Sequence, residues 1–321
     1  MPTPPFSSGV FSLMRLRFPP AFMRPAFMNQ AFGRPTEALE LTTQYRSAFQ
    51  NYIPIIWAMA LKRQPPLARL RASLESVSIA NGVLRSMYLA GFVEPQYDAR
   101  TDTCSFRYHG RRILLRGAVF GGDIDSSFND YRWMNPTGAT VLDVGAGIGD
   151  SALYFALNGA AQVISIEPNQ IAVGFAESNI LSNELQNVVR VHRGACSGEV
   201  GTIHLMDDET PSPGFVAEDR HSGKPVHVYS LNSLLAEVDS ENVIMKVDCE
   251  GCEYRFLRDN DRSLLRRFRQ IHIEYHFGVM DLVRVLQRAQ FRVRVSPYVS
   301  RRSSTGGPLK IGHVFAERIG G

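Results

Sequence analysis

The run Val141-Leu142-Asp143-Val144-Gly145-Ala146-Gly147-Ile148-Gly149-Asp150 carries the densest chemical signal in this 321-residue chain. An apolar strand runs into Gly-x-Gly-x-Gly and then into a helix beginning near Asp150. Glycines there let a ligand approach the backbone, and amides at a helix start face it. Gly145, Ala146, Gly147 and Gly149 are therefore the expected contacts. A dinucleotide fingerprint reads G-x-G-x-x-G after the strand; here the third glycine comes one residue early, with Asp150 in its place. Asp143 puts a carboxylate at the mouth of the loop, where it repels a pyrophosphate and holds an ammonium group. The next strand ends at Glu167, 24 positions after Asp143, where a carboxylate can accept both ribose hydroxyls. Asn169 beside it is a further expected contact, and Pro168 and Asn169 start the following helix. Ribose at Glu167 and a cationic amino-acid portion at the glycine loop together describe S-adenosylmethionine. Asp143 and the glycine spacing disfavour an NAD-dependent oxidoreductase.

Two more strand ends carry unusual residues: Asp248 and Glu250 after one, Glu274 and His276 on another. Ligands of open α/β sheets lie at such carboxyl ends, and period-2 alternation puts His272, Glu274 and His276 on one face. A sulfonium methyl is already electrophilic, so an enzyme using it must align the acceptor and remove a proton. An aliphatic hydroxyl, with a pKa near the ~15.7 of water, needs that help as it attacks. His276 or Glu274 is the expected general base, with Asp248 beside the methionine portion or the acceptor. Glu250-Gly251 has a plainer reading as the turn that opens a helix, where carboxylates favour the dipole. The same carboxylates and imidazole could instead hold Mg²⁺ or Mn²⁺, which the spacing alone does not favour. Cys249 and Cys252 form C-x-x-C with no second pair to complete a zinc site, and read as small packing residues.

The elements that must position these groups alternate regularly beyond Tyr131. Strands are expected at Thr140–Val144, Gln162–Ile166, Val188–His192, Asn242–Val247, Gln270–Tyr275, Phe291–Ser296 and Lys310–Glu317. Helices are expected at Gly149–Asn158, Asn169–Ser182 and Val279–Ala289. This is an α/β pattern, a Rossmann-like sheet, mostly parallel with an antiparallel last strand. Before it, a helix is expected from an N-cap at Thr36 through Ala60, another over Leu67–Leu89, and a hairpin around His109-Gly110. The first helix reads either as an interfacial membrane helix flanked by Lys62 and Arg63 or as one docked on the protein. The domain plan is thus a basic Pro/Phe-rich tail over 1–36, an N-terminal lid or docking region over 37–117, and a cofactor-binding domain over 118–321. The Asp207–Lys224 stretch reads as a surface loop.

The motifs resemble those of the FkbM family of S-adenosylmethionine-dependent methyltransferases. They are Asp143-Val-Gly-Ala-Gly-Ile-Gly-Asp-Ser-Ala-Leu-Tyr-Phe-Ala156, Ile166-Glu167-Pro168, Asn179-Ile180, Asn183 and Leu231 through Leu235. Lys246-Val-Asp-Cys-Glu-Gly-Cys-Glu-Tyr254 and Ile273-Glu274-Tyr275-His276 complete the set, over about residues 118–318. The resemblance implies a class I methyltransferase sheet of seven strands and methyl transfer to a hydroxyl oxygen. It also implies that Ala195 and Cys196, after the third strand, wall the adenine.

Composition bounds the rest. With 44% hydrophobic and 21% charged residues, the chain is neither disordered nor an integral membrane protein, and no apolar run approaches the roughly 20 residues needed to span a bilayer. Four cysteines are too few for a disulfide scaffold, so a reducing, cytoplasmic setting is expected. Residues 1–135 hold 16 Lys/Arg against nine Asp/Glu, and residues 136–321 hold 19 against 22. The basic front half fits an anionic partner or a peripheral membrane contact, and equally a solvated basic surface. The expected acceptor is a hydroxyl on a small molecule, a glycan or a lipid-linked molecule. Nucleic acid is the rival, without an Asn-Pro-Pro-aromatic or Pro-Cys motif to support it. A non-catalytic cofactor-binding protein is the alternative of another class. Oligomeric state is left open.

Overall fold

The computed structural model describes residues 35–61, 63–71, 74–78, 81–121, 124–205, 223–258, 262–302 and 308–320. The tail expected over 1–36 therefore lies outside the described residues as far as residue 34, and so does the expected loop from Asp207 to residue 222. The chain divides into two compact units between Arg85 and Ser86, inside the helix Gly82–Leu89.

In the first unit the single helix expected from Thr36 is two, Pro35–Ala48 and Tyr52–Ala60. Asn51 is the reason for the break. Its side chain donates to the Leu67 carbonyl (2.8 Å) and accepts from the Arg69 amide (2.8 Å), while the Gln50 amide donates to the Arg69 carbonyl. Those bonds draw the following segment into extended backbone. Ala68–Arg69 (β1) pairs antiparallel with Ser76–Val77 (β2), so the helix expected over Leu67–Leu89 exists only from Gly82. Ile55 and Ile56 are buried, and among the described residues no helix is long and apolar enough to cross a membrane.

The second unit opens with an antiparallel sheet of Val93–Asp98 (β3), Thr103–Tyr108 (β4) and Arg111–Arg116 (β5). The hairpin turns on His109 and Gly110, both at positive φ (+47° and +78°), the backbone of a tight two-residue turn. This sheet was expected to belong with the N-terminal region ending at 117. It packs instead as part of the second unit, through two asparagines on the helix Gln170–Ser182 and its C-cap. Asn179 accepts from the Arg116 amide (2.8 Å) and donates to the Arg116 and Ile148 carbonyls. Asn183 accepts from the Leu114 amide (3.0 Å) and donates back to the Leu114 carbonyl.

The main sheet is built on Thr140–Val144 (β6), every residue of which is buried, as parallel central strands require. Gln162–Glu167 (β7) and Val189–Arg193 (β8) extend it on one side. Off its edge, Ala195–Cys196 (β9), Gly201–Leu205 (β10) and Lys224–Tyr229 (β11) make a small separate sheet that sequence alternation did not reveal. On the other side come Val243–Val247 (β12) and Phe268–Tyr275 (β13), both parallel. Phe291–Val295 (β14) and Val299–Arg302 (β15) each pair antiparallel with the last strand, Pro308–Arg318 (β16). The order β14-β16-β13-β12-β6-β7-β8, with β16 antiparallel between two earlier strands, is the doubly wound sheet expected from the sequence.

Candidate active site

Register assembles the site. Ser165, Asp143, Lys246, His272 and Phe315 lie side by side across β7, β6, β12, β13 and β16. Side chains alternate faces, so the residues two further on share that face at the carboxyl ends: Glu167, Gly145, Asp248 and Glu274.

The lower row is a buried clamp. Asp143 is fully buried, and its carboxylate accepts from the Ser151 hydroxyl (3.0 and 2.9 Å) and the Ser165 hydroxyl (3.1 Å). The Lys246 ammonium stands 3.3 Å away and also donates to the Gly145 carbonyl. This corrects the placement of Asp143 at the mouth of the loop: it lies beneath, where it holds the loop's helix and the one buried lysine described here. Burial pulls the Lys246 ammonium toward neutrality, but Asp143, Asp248 and Asp150 outweigh it and raise its pKa.

The glycines divide the work. The Gly145 and Ala146 amides are taken by the Ile166 carbonyl (2.9 and 3.1 Å), so they knit β6 to β7 instead of facing a ligand. At φ +76°, a Cβ on Gly145 would sit 1.7 Å from the Asp248 carbonyl oxygen. On Gly149 it would meet Ala176 at 3.1 Å, a helix–helix contact. Gly147 alone of the three has nothing within 4 Å of a built Cβ, and its amide donates to Glu167 Oε2 (3.0 Å).

Glu167 closes β7 as expected. Its Oε1 accepts from the Asn169 amide (2.9 Å), and each carboxylate oxygen keeps a further lone pair. Burial raises its carboxyl, with the Asn169 and Gly147 amides and Lys246 pulling the other way. The Asn169 side chain caps the next helix through the Ile171 and Ala172 amides, so its contribution is to orient Glu167. Ala195 and Cys196 are buried just after Gly194, whose amide donates to the Glu167 carbonyl (3.1 Å). The adenine wall expected of them thus lies next to Glu167, the expected ribose acceptor. Burial, then Glu167, push the Cys196 thiol up.

The acidic cluster gathers all four remaining candidates around one imidazole. His276 Nε2 faces Glu250 Oε2 at 3.0 Å, Glu274 Oε1 at 3.5 Å and Asp248 Oδ1 at 4.0 Å, while Nδ1 lies 3.2 Å from Glu253 Oε1. Glu253 is buried and its other oxygen accepts from the Gly251 amide (2.8 Å), so it ties the Asp248–Gly251 turn to the ring. The turn is sharp: Glu250 has φ +56° and Gly251 φ +120°. Cys249 and Cys252 within it form a disulfide, which corrects their reading as free packing residues, although both do pack against the core. Burial lowers the His276 imidazole, but Glu253, Glu274, Glu250 and Asp248 override it and hold its pKa at about 11. Asp248 is raised well above the usual carboxyl range by burial and then by Glu274. Burial would raise Glu274 too, yet its bond to His276, with His313 and Lys246, leaves it lowered. His272 does not join the cluster: it accepts from Trp133 Nε1 at Nδ1 (2.9 Å) and faces His313 with Nε2 (3.2 Å). Lys246, Glu253 and Tyr131 are the site residues that single-strand reading missed. The Tyr131 ring lies edge-on to His272, centroids 5.0 Å apart, and its phenol is raised by burial and then by the Asp248 carboxylate.

Residues 143–293 match the model of the methyltransferase FkbM domain. The ribosomal protein L11 methyltransferase of Chloroflexus aurantiacus is 35% identical over 107 residues, 32% of this chain and 31% of that protein. The chain thus spans about a third of the length of that curated relative. Among solved structures, the methyltransferase FkbM of Methylobacillus flagellatus KT is similar at 13% identity over 85% of this chain and 57% of that one, TM-score 0.39. The precorrin-6y C5,15-methyltransferase of Geobacter metallireducens GS-15 is similar at 13% identity over 61% and 87%, TM-score 0.36. Both likenesses are remote.

Proposed function

Because residues 143–293 match the model of the methyltransferase FkbM domain, we propose that the chain binds S-adenosylmethionine between Glu167 and Gly147 and methylates a hydroxyl oxygen of a small molecule, glycan or lipid-linked acceptor. The observation that carries the cofactor half is Glu167: a buried carboxylate with one amide on each oxygen, at the end of β7, beside the open face of Gly147. Two spare lone pairs at that spot fit a ribose diol, and Ala195 and Cys196 fit the flat base next to it. Bound there, S-adenosylmethionine supplies an electrophilic methyl group. The chain's own part is to hold the acceptor and take its proton. His276 is 1% exposed, whereas the Asp248, Glu250 and Glu274 side chains are 31%, 28% and 26% exposed. An acceptor hydroxyl therefore meets the carboxylates, with His276 behind them as a positioning residue, so the base is one of Glu274, Asp248 and Glu250.

Thermal unfolding with S-adenosylhomocysteine and with NADH in parallel tests the reading. Ligand at about 100 times its dissociation constant adds roughly 2.7 kcal/mol. Stabilisation by S-adenosylhomocysteine alone, lost in Glu167→Ala, is expected. Stabilisation by NADH, or by neither ligand, refutes it.

A further inference from the structure

We propose that Asp248, Glu274 and His276 form a divalent-cation site, which takes Mn²⁺ or Mg²⁺. The site goes beyond the methyl-transfer reading and rests on it only for the use of the cation, which would be to polarise an acceptor hydroxyl.

The imidazole carries the argument. Nδ1 lies 3.2 Å from the fully buried Glu253 carboxylate, a group that only accepts, so Nδ1 holds the ring proton of the neutral imidazole. Nε2 is then the nitrogen left for a cation. It is buried and makes no well-aligned hydrogen bond among the described residues. What faces it is carboxylate oxygens of Glu250, Glu274 and Asp248 within 4.0 Å. Three carboxylates around one nitrogen call for a positive charge between them, supplied either by a second ring proton or by a metal ion that displaces it. One donor atom each from Asp248, Glu274 and His276 lies within 4.8 Å of the others. Ligands on opposite sides of a hard divalent ion stand roughly 4–5 Å apart, so the three fit one ion. The Nδ1–Glu253 contact is the carboxylate–histidine pairing that orients metal-bound imidazoles. One nitrogen with carboxylate oxygens suits Mn²⁺, with Mg²⁺ next. A proton on Nε2 is the rival occupant.

The test uses the full chain stripped with EDTA. Mn²⁺ is titrated while the electron paramagnetic resonance signal of the free ion is followed, and melts are run with MnCl₂, MgCl₂ and S-adenosylhomocysteine. One Mn²⁺ per chain is expected, with a rise in Tm of roughly 5–10 °C at about 100 times the dissociation constant. Glu274→Gln and Asp248→Asn, at partly exposed positions, are each expected to weaken Mn²⁺ binding about tenfold or more. Absence of saturable Mn²⁺ binding to the parent chain, or unchanged binding in both variants, overturns the proposal. A retained shift with S-adenosylhomocysteine then shows that the cation site alone has failed, and loss of that shift as well shows that the methyltransferase reading has failed with it.

Discussion

Three alanine substitutions in the glycine loop separate folding from ligand binding, because each glycine is there for a different reason. All three have positive φ, where an alanine backbone costs about 1–2 kcal/mol, less about 0.4–1 kcal/mol recovered from the stiffer unfolded chain. For Gly147→Ala nothing else is added, since its Cβ meets open space. At about 2–4 °C per kcal/mol for a domain of this size, Tm falls by at most roughly 6 °C. For Gly145→Ala the Cβ lands 1.7 Å from the Asp248 carbonyl oxygen, a collision with backbone that no rotamer relieves. Overpacking of that kind adds about 3 kcal/mol or more, so Tm falls by roughly 6–18 °C. Gly149→Ala, 3.1 Å from Ala176, falls between. Differential scanning fluorimetry with and without S-adenosylhomocysteine reads both properties. Gly147→Ala keeps the fold and loses most of the ligand-induced shift, because its methyl group projects where the cofactor is proposed to lie. A Gly145→Ala variant as stable as the parent, or a Gly147→Ala variant with a full ligand shift, refutes this division of roles.

Lys246→Met leaves the Asp143 carboxylate buried without its counter-charge, at about 3–5 kcal/mol. In urea unfolding the Asp143→Asn/Lys246→Met pair is expected to lose at least about 1 kcal/mol less than the two single losses summed. Asn179→Ala strands the Arg116 amide and two carbonyls and costs about 2–4 kcal/mol, seen as a lower urea midpoint at unchanged slope. Burial raises the Glu167 carboxyl, and only its ionised form accepts two hydroxyls. Affinity for S-adenosylhomocysteine, measured by calorimetry, is therefore full at pH well above that raised value. It weakens about tenfold per unit once pH falls below that raised value, and in Glu167→Gln the weakened affinity no longer follows this carboxyl.

The sheet was legible because its central strands β6 and β12 are buried along their whole length and mostly apolar, each with one charged residue. β6 matches its expected span to the residue, and the antiparallel β16 follows from the short turn before it. The N-terminal part was not legible in the same way. A helical apolar spacing continues through Phe49, but Asn51 gives its side chain to the backbone at Leu67 and Arg69, and a long-range bond of that kind leaves no mark in local periodicity. The hairpin at His109-Gly110 carried turn chemistry and was found; its third strand, β3, has Pro95 and exposed residues, and no alternation to betray it.

The same limit explains Asp143. Its type and its place two residues before a glycine are what a loop-mouth carboxylate would show, and nothing along its own strand argues otherwise. The deciding facts are lateral: Ser165 and Lys246 sit opposite it on the flanking strands, and Ser151 reaches it from the helix that follows. Once the strand order places β12 beside β6, counting from Lys246 and Asp143 makes the pair a cross-strand neighbour on one face, and among the described residues Asp143 is the carboxylate that pairs with the ammonium, at 3.3 Å. The acidic cluster obeys the same geometry with the opposite balance. Asp248, Glu250, Glu253 and Glu274 converge on His276, with His313 3.9 Å from Glu274, so the lower row closes its charges internally while the upper one gathers more acidic than basic groups. That asymmetry, set by which residues fall two apart on adjacent strands, is the physical reason for placing the clamp beneath and the chemistry above.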